Sequence, residues 1–362
     1  MLKNMKKSTK SNVITLGIVV GFYVLIQILS AAGALTNSFS GQLVPICAYV
    51  IMAVSLNLTV GMLGELSLGH AGFMSVGAFS GTLVYVVMSE NAPQPLALLL
   101  AFVVGGAVAG LFGVLVGIPV LRLSGDYLAI VTLAFGEIVK NVMNACYLGV
   151  DSHGLHFSLK DSASLNLEVD GKVLINGAMG ITGIKKASTF TIGIVLVIIT
   201  LLVILNLVNS RAGRAIKAIR DNEIAAESCG IQTTYYKVMA FAFSAAFAGL
   251  AGGLYACYLG VLDPSTFGFM KSIEILVMVV LGGMGSMLGS ILSATVLTIL
   301  PEATRSFDSY RMVVYSLVLV LMMIFRPGGL LGSYDFSMSR IVEKIMNGEL
   351  FQKKAKEGAD HE

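Results

Sequence analysis

The chain has 362 residues, 56% of them hydrophobic and only 12% charged, with a net charge of +3 and a mean hydropathy of +0.85. Soluble domains carry about twice that charged fraction, so composition excludes a soluble catalytic domain. The apolar runs far exceed the ~10 residues of a barrel strand, which leaves a polytopic α-helical membrane protein.

Taking about 20 apolar residues as one span, the elements follow in chain order. A basic tail at 1–12, carrying Lys3, Lys6, Lys7 and Lys10, precedes a first span at 13–35. That start imitates a signal peptide, but its apolar run is longer than a typical signal core and more spans follow, so it reads as uncleaved. Further spans are predicted at 43–62, 66–88, 96–118 and 126–147. A polar, partly irregular loop occupies 148–188, and a sixth span covers 189–208. A polar island at 209–237 leads to a seventh span at 237–262, a broken segment at 272–300 and a last span at 311–325. A charged tail fills 333–362. The expected fold is all-α, with eight to ten transmembrane helices in a permease region at 13–332 and one or two broken or re-entrant segments. The four cysteines (Cys47, Cys146, Cys229, Cys257) lack metal-ligand spacing and read as small buried side chains.

Orientation rests on Lys and Arg, which accumulate on the cytoplasmic side. The basic start and the basic end (Arg326, Arg340, Lys344, Lys353, Lys354, Lys356) both belong there, and the island after span six falls on the same side. Eight full spans satisfy this parity and a ninth breaks it. The segment 272–300 is therefore expected to dip in and return through its glycine-rich centre, with residue 306 on the outer side.

The island holds Arg211, Arg214, Lys217, Arg220 and Lys237 with Asp221, Glu223 and Glu227 between two long apolar runs. It reads as two short surface helices, the first capped by Asn209 or Ser210, the second by Asp221 or Asn222 and stopped by Gly230. Ala212, Ile216 and Ile219 give the first helix an apolar stripe. Composition leaves two readings: an ordinary cytoplasmic loop, or a docking element for a soluble partner.

Most glycine pairs, such as Gly77–Gly81, Gly106–Gly110, Gly113–Gly117, Gly249–Gly253 and Gly285–Gly289, are spaced for close helix packing. The run 61–72 differs: Gly61, Gly64, Gly69 and Gly72 with Glu65, Ser67 and His70 mark an interrupted helix of the kind that forms transporter binding sites. A matching break at 282–289 hints at an internal repeat. Glu137, Lys140, Asn141 and Asn144 share one helix face, either as a satisfied Glu137–Lys140 pair or as the lining of a solute path. His70 is either a proton relay or a backbone-bonded residue. No catalytic or metal constellation and no Walker A motif occurs, so the chain cannot draw on ATP by itself.

Several motifs carry a family resemblance. Residues 55–61 (SLNLTVG), 64–73 (GELSLGHAGF), 125–137 (GDYLAIVTLAFGE), 180–184 (GITGI), 279–286 (VVLGGMGS) and 325–332 (FRPGGLLG) closely resemble the permeases of branched-chain amino acid ABC importers. The island sequence 210–227 (SRAGRAIKAIRDNEIAAE) resembles that family's cytoplasmic coupling loop. The basic extension and the loop after span five resemble the LivM-type subunit rather than its LivH-type partner. Urea and short-chain amide permeases share many of these motifs and form the alternative.

The resemblance implies a subunit in a bacterial cell membrane with both termini cytoplasmic. A homologous LivH-type permease would complete the pathway, two cytoplasmic ATPases would bind ATP and Mg, and an external binding protein would deliver the solute. No cofactor is implied in the chain itself, and no nucleic acid. The positions matching the coupling loop are Arg211, Gly213, Arg214, Ala218, Arg220, Asp221, Asn222, Glu223, Ala225, Ala226 and Gly230. Ala225 and Ala226 would seat it in a groove while the charges set its register. Ser67, His70, Phe73, Glu137, Gly282, Gly283 and Gly285 are the candidates for the solute path. The competing classes are a stand-alone channel, which has no use for the island, and a membrane enzyme, which needs a titratable cluster at one depth.

Overall fold

A computed structural model describes residues 7–31, 36–89, 92–123, 125–151, 154–165 and 171–303, with scattered positions between 313 and 329. The expected last span at 311–325 lies mostly outside the described residues. The tail at 333–362 and residue 306 lie wholly outside them. Six described helices are long and apolar enough to cross a membrane. The chain is thus an all-α, multi-pass membrane protein, with one small sheet among the described residues.

Helix α1 (Lys7–Ala31) sits at the periphery, touching α6 (Phe190–Asn209) through Tyr23 against Phe190 and Thr191. Helix α2 (Asn37–Asn57) is the central element: from Leu43 through the turn that follows it, Leu58–Leu63, it is buried on every side. That turn widens to π-type hydrogen bonding and stops at Gly64, whose φ of +84° is left-handed and favours glycine. A non-helical stretch, 64–69, then leads into α3 (His70–Met88).

Helices α3, α4 (Gln94–Val120) and α9 (Thr233–Leu259) form the tightest packing in the molecule, and glycine makes it possible. A Cβ on Gly77 would strike the backbone of Gly249, one on Gly249 would strike Ala109 and the Gly105 carbonyl, and one on Gly252 would strike the Met74 carbonyl. Small residues let these backbones touch where lipid supplies no hydrophobic drive for association.

Helix α5 (Asp126–Ala145) leads to the expected irregular loop, which holds a three-stranded antiparallel sheet instead. Strand β1 (Tyr147–Asp151) lies between β2 (Gly154–Ser158) and β3 (Lys172–Asn176). The strands are short and their turns polar, so sequence periodicity had little to register. Helix α6 runs from this sheet to the opposite end, where α7 (Arg211–Asp221) and α8 (Glu223–Ser228) lie.

The broken segment is α10 (Phe269–Gly282) and α11 (Met287–Ala303) joined by a four-residue turn. The two helices run antiparallel. Gly282 meets Gly289, and the Ser293 hydroxyl donates to the Met278 carbonyl, contacts that a helix crossing straight through would not make. The segment therefore turns back on itself. Of the spaced pair Gly285–Gly289, Gly289 packs closely against Gly282 of α10, while Gly285 lies in the turn rather than on a helix.

Candidate functional site: a charged loop against two helix breaks

Local sequence builds the α7–α8 loop. Ser210 caps α7, its Oγ accepting from Gly213 N at 3.2 Å, and Asn222 caps α8, its Oδ1 accepting from Ala225 N at 3.0 Å. Gly213 turns α7 sharply off α6, because a Cβ there would strike the carbonyls of Leu207 and Val208. Gly230, at φ +83°, ends the loop with open space around it. The inward stripe of α7 is Ala215, Ile216 and Ile219, while Ala212 is only half-buried.

Of the proposed coupling residues, Arg211, Arg214, Arg220, Asp221, Asn222, Glu223, Ala225 and Gly230 are exposed, and Ala218 is half-buried. Gly213 and Ala226 face inward, which corrects the expectation that Ala226 seats in a partner's groove. Its neighbour Ile224 projects instead, 79% exposed, an apolar side chain standing out from a charged surface.

The loop holds the two helix breaks together. The helix stops at Leu63, so the Gly61 carbonyl falls in its last turn, where carbonyls lack helical partners, and Arg220 Nη1 donates to it at 3.2 Å. The stem of Arg220 passes beneath Gly64, where a Cβ would sit 2.8 Å from its Cγ. Gly285 N, freed by the α10–α11 turn, donates to Asn57 Oδ1 at 2.8 Å, and a Cβ on Gly61 would collide with Asn57 and the Gly285 backbone. The breaks at 61–64 and 283–285, some 220 residues apart in the chain, are therefore one structure. Polar side chains stand at this depth because unwound backbone in an apolar medium must be satisfied.

Lys237 completes the arrangement. It opens α9 with its side chain only 4% exposed, and its Nζ lies 2.7 Å from Glu65 Oε1 and 2.8 Å from Glu223 Oε2. One cation thus ties the break (Glu65) to the loop (Glu223). Sequence reading placed Lys237 at the island's edge and Glu65 among the glycines, and it paired neither with the other. The available signal was that each opens or closes an apolar run, where an unpaired charge is costly.

The stretch leading to α3 is fixed in the same way. Leu68 N donates to Thr132 Oγ1 at 3.0 Å and Ala71 N to Ser272 Oγ at 3.2 Å, while Gly69 and Gly72 lie against the α5 backbone. His70 is 2% exposed, its Nε2 2.9 Å from Ser55 Oγ. Phe73 packs between Phe135 and Phe241. Ser67 is buried, and its hydroxyl finds no hydrogen-bond partner among the described residues.

The seven solute-path candidates thus divide. Ser67, His70, Phe73, Gly282 and Gly283 are buried, Gly285 is half-buried at the turn, and Glu137 lines an open cavity of about 410 Å³. Three of the four cysteines are buried, but Cys229 at the end of α8 is exposed.

Residues 38–325 match the family described as the branched-chain amino acid transport system / permease component. The chain is 37% identical over 313 residues to the high-affinity branched-chain amino acid transport system permease protein LivM of Salmonella typhimurium, covering 83% of this chain and 70% of that protein. LivM of Escherichia coli matches at 37% over 310 residues, with the same coverage. BraD of Pseudomonas aeruginosa, another branched-chain amino acid permease protein, is 26% identical over 294 residues, 78% of this chain and 91% of that one.

Proposed function

The chain belongs to the branched-chain amino acid permease family, and from that premise we propose that it is the LivM-type membrane subunit of an ATP-driven importer of branched-chain amino acids. A LivH-type permease completes the pathway in this reading, two cytoplasmic ATPases bind ATP and Mg, and an external binding protein presents the solute. The α7–α8 loop and both termini lie in the cytoplasm and the sheet lies outside. Similarity to LivM, LivH and BraD proteins supports amino acids over urea or short-chain amides.

One observation carries the mechanism: the charged loop grips the break in the central helix, through Arg220 on the Gly61 carbonyl and Lys237 between Glu65 and Glu223. Closure of the ATPases displaces α8, which presents Ile224 and Ala225 to the partner groove. Lys237 and Arg220 pass that displacement to residues 61–65, and Asn57 passes it to the 283–285 turn. The two breaks form the inner gate and move as one body. A rigid lever on a bistable joint is what converts small displacements into a switch of access. The solute path runs past Glu137 and the turn at Gly282, Gly283 and Gly285, with Ser67, His70 and Phe73 behind it.

Glu223→Lys should reverse the charge beside Lys237, and Gly230→Trp should strain a left-handed turn and block the loop's outer face. Both variants are expected to insert in the membrane yet lose ATP hydrolysis stimulated by loaded binding protein in proteoliposomes. Wild-type stimulation in both would sink this assignment of the loop.

A further inference from the structure

Glu137 and Lys140 on α5 face Lys271 and Glu274 on α10 across the cavity of about 410 Å³. Glu137 pairs with Lys140, and its Oε1 accepts from Phe269 N at 2.8 Å, closing the first turn of α10. Lys271 lies 2.7 Å from Glu274 and 2.9 Å from the Tyr49 hydroxyl. Glu137 stands about 12 Å along the helix from the Ala145 end of α5, a helix long and apolar enough to cross a membrane. The neighbouring face of α5 exposes Ile130, Ile138 and Val142, as a lipid- or subunit-facing surface does.

Four charges part-open at that depth require water or a ligand in front of them. Two carboxylates and two ammonium groups sum to zero, so an ion of either sign would leave an uncompensated charge in an apolar surrounding. A solute carrying one ammonium and one carboxylate exchanges into both pairs and keeps the sum at zero. The hydroxyls of Ser265 and Thr266 line the same space, and the exposed side chains of Phe269 and Met270 give an aliphatic chain a wall to lie against. The volume falls within the range of small-molecule sites.

We propose that the α5–α10 cavity is a transient binding site for an amino-acid zwitterion, with Glu137 recognising its ammonium and Lys271 its carboxylate. The proposal rests on the importer reading above and names the chemistry of its path. Glu274 and Lys140 hold the two recognising groups while the site is empty.

The test uses the complete transporter in lipid nanodiscs without binding protein, with radiolabelled leucine as the probe. Leucine should bind saturably at millimolar concentration. 3-Methylbutylamine, which lacks the carboxylate, and 4-methyl-2-oxopentanoate, which lacks the ammonium, should compete at least about tenfold less well, the weight of one charge-assisted contact. Glu137→Gln and Lys271→Gln should each weaken leucine by a similar factor. The swap Lys271→Glu with Glu274→Lys restores an ion pair but not the site, so leucine binding should remain weakened. In a Cys229→Ser background, Met270→Cys should react with a charged thiol reagent and be protected by leucine.

Equal competition by either analogue, wild-type affinity in the Gln variants, or recovery by the swap would overturn the site. So would an unreactive Met270→Cys, which would mean that a partner subunit covers the cavity, or no leucine binding up to about 10 mM. If the wild-type complex shows no stimulated ATP hydrolysis, the importer reading falls first and the site with it.

Discussion

At the scale of single residues, the polar groups of this apolar chain are explained by what they satisfy. Asn57 has two jobs at one point: its Oδ1 takes the Gly285 N–H, and its side chain fills the place a Cβ on Gly61 would need. Lys237 stands between two carboxylates, one of them nearly buried. Removing one member of such a cluster is worse than never having built it, because the remaining charge is left unpaired. Lys237→Met is therefore expected to cost about 3–5 kcal/mol, the usual penalty for breaking a buried pair. Glu65→Gln, which keeps a hydrogen-bond acceptor for the ammonium, should cost clearly less. Thermal unfolding of the purified subunit in detergent measures the difference, and equal losses would argue against a buried charge as the cause. These partners were invisible in the sequence: 172 positions separate Glu65 from Lys237, and no local rule joins them.

Helices and loops show which sequence signals carry over into structure. The caps at Ser210 and Asn222 and the stop at Gly230 were legible, because a cap is a contact between near neighbours in the chain. The small sheet between α5 and α6 was not legible, because strand pairing joins segments whose alternation is weak. Glycine spacing announced close packing but not its partners: the tight contacts are Gly77 with Gly249 and Gly249 with Gly105. Gly249→Val should thus prevent α3, α4 and α9 from closing, with loss of the monodisperse protein on size exclusion. Gly21→Ala, where a Cβ meets nothing within 4 Å, should behave as wild type. Equal expression and elution of the two variants would contradict the packing argument.

Across the whole molecule, the two interruptions and the charged loop form one end of the bundle, and the sheet forms the other. The orientation proposed for these ends can be read with thiol chemistry. Cys229 is exposed on the loop, so a membrane-impermeant reagent should reach it only from the cytoplasmic side. Lys160→Cys, exposed beside the sheet, should label from outside in a Cys229→Ser background. The reverse pattern would invert the topology and remove the loop from reach of cytoplasmic ATPases. That this is a polytopic helical membrane protein, where its helices run and break, and which family it resembles were all legible along the chain. Those properties depend on composition, on near-neighbour caps and on motifs contiguous in the chain. Only the tertiary structure decided that the two breaks meet, that Arg220 and Lys237 bind the loop to them, and that Ile224 rather than Ala226 faces outward. It also decided that two ion pairs on different helices share one cavity. Each of these is a contact between groups far apart in the chain, and burial and charge compensation select such partners in three dimensions only.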